Sequence, residues 1–108
     1  MTLSDFDALL HSVPGMGGKV AYRAFPPGKA PPLPFITYLE GRPEGFQADN
    51  TVYFTAKSVD IELYTECRDE ALEGLLEKAM KGAGLVWGKD IDYLDSEQCY
   101  MIVYAVTI

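Results

Sequence analysis

The chain has 108 residues, 48% of them hydrophobic, and sixteen Asp and Glu against nine Lys and Arg give a formal charge of −7. That length supports one domain with its own core and excludes a second, while the apolar fraction excludes bulk disorder. The basic residues are scattered, which excludes the clustered positive surface that displaces counterions from nucleic-acid phosphates.

From Ser4 to Val13, Phe6, Leu9, Leu10 and Val13 recur at helical spacing, with Ser4 as N-cap and Asp7 three residues on. Pro14 and Gly15 end this helix, and the glycines through Gly18 make a turn into a strand around Val20 and Tyr22. The stretch Phe25 to Pro34 is too rich in proline to donate a regular ladder and reads as a loop or extended arm. Phe35 to Leu39 resumes β character, and Gly41 to Asn50 is a second polar loop.

Thr51 to Glu66 is the longest β-like segment, with Val59, Ile61 and Leu63 alternating against Asp60, Glu62 and Tyr64. Asp69 to Lys81 is the clearest helix: Leu72, Leu75, Leu76, Ala79 and Met80 form an apolar stripe, and Glu70, Glu73, Glu77 and Lys81 lie off it. Asp69 is its expected cap, and Gly82 or Gly84 its stop. Ile91 to Leu94, the turn Asp95 to Glu97, and Tyr100 to Ile108 form a hairpin whose last strand, apolar on both faces, belongs inside the sheet. The order predicts an α+β fold, an antiparallel sheet with two helices packed mainly on one face.

Little of the chain has the pattern of a reactive site. His11 is the one histidine, and a dyad with Cys67 or Cys99 needs a convergence that spacing does not advertise; a boundary histidine and two reduced thiols are the plainer expectation. With no CxxC pair and no second histidine, no zinc set is complete. Asp90, Asp92, Asp95 and Glu97 lack the ordered ligand spacing of a calcium loop, and Gly15 to Gly18 is not followed by the lysine and hydroxyl of a phosphate loop. Neither cofactor nor metal is expected. The acidic first residues lack a signal peptide's basic start, and no apolar run approaches the roughly 20 residues that span a bilayer, so a cytoplasmic protein without membrane attachment is expected.

Several strings, taken in order, resemble a known family. Pro34-Phe35-Ile36-Thr37-Tyr38, Ala48-Asp49-Asn50-Thr51-Val52-Tyr53, Val59-Asp60-Ile61-Glu62-Leu63-Tyr64-Thr65, the acidic helix after Arg68-Asp69, and Tyr93-Leu94-Asp95-Ser96-Glu97-Gln98-Cys99-Tyr100-Met101 are similar to the small tail-completion, or head-to-tail joining, proteins of siphophages and prophages of Gram-positive bacteria. The resemblance implies a tail-terminator-like fold and a non-enzymatic structural role. In that role subunits form an oligomeric ring, commonly a hexamer, which caps the tail tube and joins it to the head connector. It also implies partners and a location: other copies of the chain, tail-tube and connector proteins, in the host cytoplasm during assembly and in the virion neck afterwards. An acidic lumen would let DNA slide past without specific binding. The long loops 24–33 and 40–50 are then expected to become ordered between subunits. Phe25, Pro31, Tyr38, Arg42, Phe46, Asp49, Tyr53 and Trp87 are the residues expected at subunit or partner contacts. The alternative is a small non-catalytic binding or regulatory module, since folds of this size host many such roles.

Overall fold

A computed structural model describes residues 1–41 and 58–108. Helix α1 (Leu3–His11) is followed by strands β1 (Val20–Tyr22), β2 (Phe35–Gly41) and β3 (Ser58–Thr65), helix α2 (Glu70–Gly82), and strands β4 (Val86–Leu94) and β5 (Cys99–Thr107). The strands form one sheet in the order β1-β2-β3-β5-β4. The α+β class and the inner position of β5 are those read from the sequence.

The sheet departs from the expected antiparallel form at one edge. β2, β3, β5 and β4 pair antiparallel, whereas β1 runs parallel to β2, with Val20 beside Ile36 and Tyr22 beside Tyr38. The cause is the connection of residues 23–34, which is long enough to carry the chain back to the start of the next strand; a tight hairpin would have forced the strands to oppose. β2 also continues two residues beyond the expected Leu39, through Gly41, and β4 starts at Val86 rather than Ile91.

Alternation along the strands defines two faces. Ile36, Val59, Ile61, Leu63, Ile102, Tyr104 and Val106 point to the helices, where Phe6 and Leu10 of α1 and Leu72, Leu76 and Met80 of α2 complete the core. Each large apolar side chain withdrawn from water here contributes about 1.5–3 kcal/mol. The opposite face carries half-buried Phe35, Leu39, Glu62, Tyr64, Met101 and Val103.

The helix ends follow local chemistry. α1 starts from Thr2, not Ser4: the Thr2 hydroxyl accepts the Asp5 amide at 3.0 Å, and the Asp5 carboxylate accepts the Thr2 amide at 3.2 Å. Starting earlier brings Leu3 onto the core and leaves Asp7 free for another partner. α2 is capped as expected by Asp69, whose carboxylate accepts the Leu72 amide at 3.0 Å. It ends in a Schellman motif, with Gly84 at φ 75°, the Gly84 amide on the Lys81 carbonyl and the Leu85 amide on the Met80 carbonyl.

Candidate interaction surface

The polar groups that reach into the core decide whether the fold holds free chemistry. Tyr38, on the helix face of β2, is 4% exposed, and its hydroxyl donates to Asp7 Oδ2 at 2.6 Å. Burial and that hydrogen bond push its phenol well above the usual tyrosine value. One helical turn on, His11 Nε2 lies 3.3 Å from Asp7 Oδ1, and His11 Nδ1 accepts the Gly18 amide at 3.3 Å. One ring nitrogen thus faces a carboxylate of the same helix and the other ties α1 to the glycine turn, and neither faces a thiol.

The larger network lies under α2. Glu73 is 1% exposed and yet charged. Arg68 grips it with two hydrogen bonds of 3.0 Å, and Lys89 Nζ of β4 stands 2.8 Å from Glu73 Oε1 and 2.7 Å from Glu77 Oε2. The Tyr104 hydroxyl donates to the same Glu77 oxygen at 2.7 Å. Burial alone pushes the Glu73 carboxyl up, but the hydrogen bonds and charges of Arg68 and Lys89 outweigh it and hold the group below the usual carboxylate value. The same opposition, with Lys89 and Tyr104 as the lowering partners, holds Glu77 down, and its two carboxylate partners raise Lys89.

This network corrects the reading of Glu73 as lying off the apolar stripe, since its side chain is buried beneath α2. The signal was available: Glu73 precedes Leu76 by three residues and Met80 by seven, which puts it on the flank of the buried stripe. Lys89, in register with Tyr104 and therefore inward-facing, supplies the matching charge.

The cysteines are both free; Cys67 is exposed after β3 and Cys99 is buried at the start of β5. Burial, with a smaller contribution from Glu97, raises the Cys99 thiol and so disfavours its thiolate. Among the described residues no group of three His, Cys, Asp or Glu side chains converges as a metal site would require, and no helix is long and apolar enough to cross a membrane.

The residues expected at contacts divide accordingly. Tyr38 is packed and hydrogen-bonded inside the fold, so its expected place at an interface is corrected to a core role. Phe25 is half-buried and stacks edge-to-face on Phe35 at 5.3 Å, and Phe35 meets Tyr64 at 5.1 Å, so the arm lies over the face opposite the helices. Pro31 lies on the same arm and is half-buried. Trp87 packs on the edge of the core and lines a cleft of about 680 Å³ with Glu77, Lys78, Lys81, Leu85 and Val86. Arg42, Phe46, Asp49 and Tyr53, and most of the loop 40–50, lie outside the described residues.

Sequence reasoning missed the sheet's two outer edges. Tyr22 of β1 and Val86, Ile91 and Tyr93 of β4 are exposed large hydrophobic residues, Val86 to 78%, and all four belong to the two edge strands. Strand order alone makes them edges, and no local pattern reports it. Comparison with protein-family models, curated proteins and solved structures finds no match.

Proposed function

We propose that the chain is a structural subunit of a long-tailed phage, which caps the tail tube as an oligomeric ring and joins it to the head connector. One observation carries the reading. The ionisable groups Tyr38, Glu73, Glu77, Lys89 and Tyr104 are spent on contacts within the chain, whereas four of the six large exposed apolar side chains among the described residues, Tyr22, Val86, Ile91 and Tyr93, sit at the sheet edges, Met1 and Leu75 being the others. Such a distribution suits contact with other protein surfaces better than turnover of a substrate. The ordered strings along the sequence supply the particular assembly, and the charge of −7 suits a channel that DNA must traverse without sticking.

Electron microscopy of the purified chain, alone and mixed with tail tubes, tests the proposal. Rings, or density capping tube ends, are the expected result; bare tube ends and a chain without self-association would count decisively against it. The cleft beside Trp87 favours a second reading as a small binding module, and a stable complex with one soluble non-virion protein would support that instead.

A further inference from the structure

The two edges of the sheet are complementary to each other. Along β4, the amides of Ile91 and Tyr93 point away from β5, since they are taken up by the side chains of Asp90 at 3.0 Å and Asp92 at 2.9 Å. Along β1, the Lys19 carbonyl and the Arg23 amide are bonded to β2, so alternation turns the backbone groups of Val20 and Tyr22 outward, where the Tyr22 carbonyl also accepts the Ala24 amide at 2.8 Å. The register through the sheet puts the side chains of Val20, Tyr22, Ile91 and Tyr93 on the helix face. On both edges, therefore, the residues whose backbone faces outward carry their side chains on the same side of the sheet.

That parity is what a continuous sheet requires. Directly opposed residues in an antiparallel hydrogen-bonded pair share a face, so β4 of one copy can receive β1 of another with the helix faces aligned. Tyr22 of the second copy then meets Ile91, and its Val20 meets Tyr93, which brings the exposed Tyr22, Ile91 and Tyr93 together beside the buried Val20. On the other face its Lys19 lies diagonal to Asp92, and its Arg23, just past the end of β1 where the chain turns with φ 68°, comes to the level of Asp90. Among the described residues neither Lys19 nor Arg23 forms an ion pair.

We propose that the outer edge of β4 pairs antiparallel with the outer edge of β1 of a second copy, so that the sheet continues from subunit to subunit; this rests on the ring reading above. The contact is head-to-tail, the kind that closes into rings when the rotation between copies allows. Charge selects it over the alternatives: two β4 edges would crowd Asp90 and Asp92 against their own copies, and two β1 edges would crowd Lys19 and Arg23. By folding onto the Ile91 and Tyr93 amides, the two aspartates also blunt the edge against stray strands. A basic strand draws those carboxylates away and frees the amides.

Charge reversal tests this. K19E/R23E gives a chain with two acidic edges, and D90K/D92K one with two basic edges. Each variant, with its fold checked by circular dichroism and melting temperature, is examined by sedimentation velocity, native mass spectrometry and electron microscopy. Each alone is expected to lose the wild-type oligomer. An equimolar mixture is expected to regain it with the two chains alternating, and so is the single chain carrying all four changes. Wild-type rings that ignore both reversals would overturn the edge pairing and leave the ring reading standing. So would loss in both variants without rescue, or two-fold dimers in place of an open-ended contact. A wild-type chain that stays monomeric at its highest soluble concentration and decorates no tube end would overturn both.

Discussion

Lys89 Nζ lies 2.8 Å from Glu73 Oε1 and thereby ties edge strand β4 to the helix that covers the core. Glu73 is the buried member of that pair, whereas Lys89 and Arg68 keep 30% and 35% of their side-chain surface in water. Lys89→Met removes a partner from two carboxylates at once and leaves Glu73 with Arg68 alone. We expect a loss of about 1–3 kcal/mol at neutral pH, toward the lower end because solvent screens the exposed partners. Glu73→Leu removes the buried charge itself, fills the space with apolar atoms and is expected to cost less than Lys89→Met. Urea unfolding of both variants checks the order, and the reverse order would mean that the network is a surface feature.

The same network fixes the acid limb of stability. Glu73 and Glu77 titrate below their ordinary value of 4.5 in the folded chain, so the unfolded chain takes up their protons first as pH falls. Their contribution is present above that ordinary value and is lost as pH drops through the depressed folded values. Thermal melts from pH 7 to pH 2 should hold a plateau and then fall below about pH 4.5. In Glu73→Leu the fall should be shallower, and an unchanged slope would exclude Glu73 as a contributor.

Tyr38→Phe separates core from interface. The change keeps the ring between Phe6 and Tyr22, which it meets edge-to-face at 5.8 and 5.3 Å, and removes only the hydroxyl on Asp7. A loss of about 1 kcal/mol is expected, with oligomeric state unaltered. A change in sedimentation at wild-type stability would return Tyr38 to an interface.

How much of this was legible follows from which features are local. The span of helix α2, its Asp69 cap and the alternation Val59-Ile61-Leu63 are written in spacing, whereas Leu75 of the expected stripe is exposed and Glu73, expected off it, is buried. The cap of α1 was misplaced because Thr2-Asp5 and Ser4-Asp7 satisfy the same rule, and only the demand of Tyr38 for Asp7 distinguishes them. The parallel direction of β1 and the pairing of Glu73 with Lys89 depend on elements distant in the chain meeting in space. The edges of the sheet were invisible for the same reason, so the surface proposed for assembly appears only once strand order is known.

Thr65 offers a test of opposite sign. Its hydroxyl is buried at the end of β3, and among the described residues it has no hydrogen-bond partner. Burying an unpaired hydroxyl costs free energy, and valine has nearly the same shape. Thr65→Val is expected to raise stability by roughly 1 kcal/mol, read as a higher melting temperature. A lower one would show that the hydroxyl finds a partner in solution.

The arm between β1 and β2 is anchored by one aromatic contact, Phe25 on Phe35, and turned by the Lys29 amide on the Pro26 carbonyl at 2.9 Å, with Gly28 at φ 72°. Phe25→Ala removes the anchor without touching the helix-face core, so global stability should change by less than it would for a truncation in that core. The arm itself should open more often, because local opening is governed by local contacts. Trypsin cleaves after Lys29, an exposed residue on this arm, and its cutting rate there should rise in Phe25→Ala while cleavage after Lys78 in α2 stays at the wild-type rate. Equal acceleration at both sites would mean that Phe25 supports the whole fold, and unchanged cutting after Lys29 would mean that the turn at Gly28 holds the arm unaided.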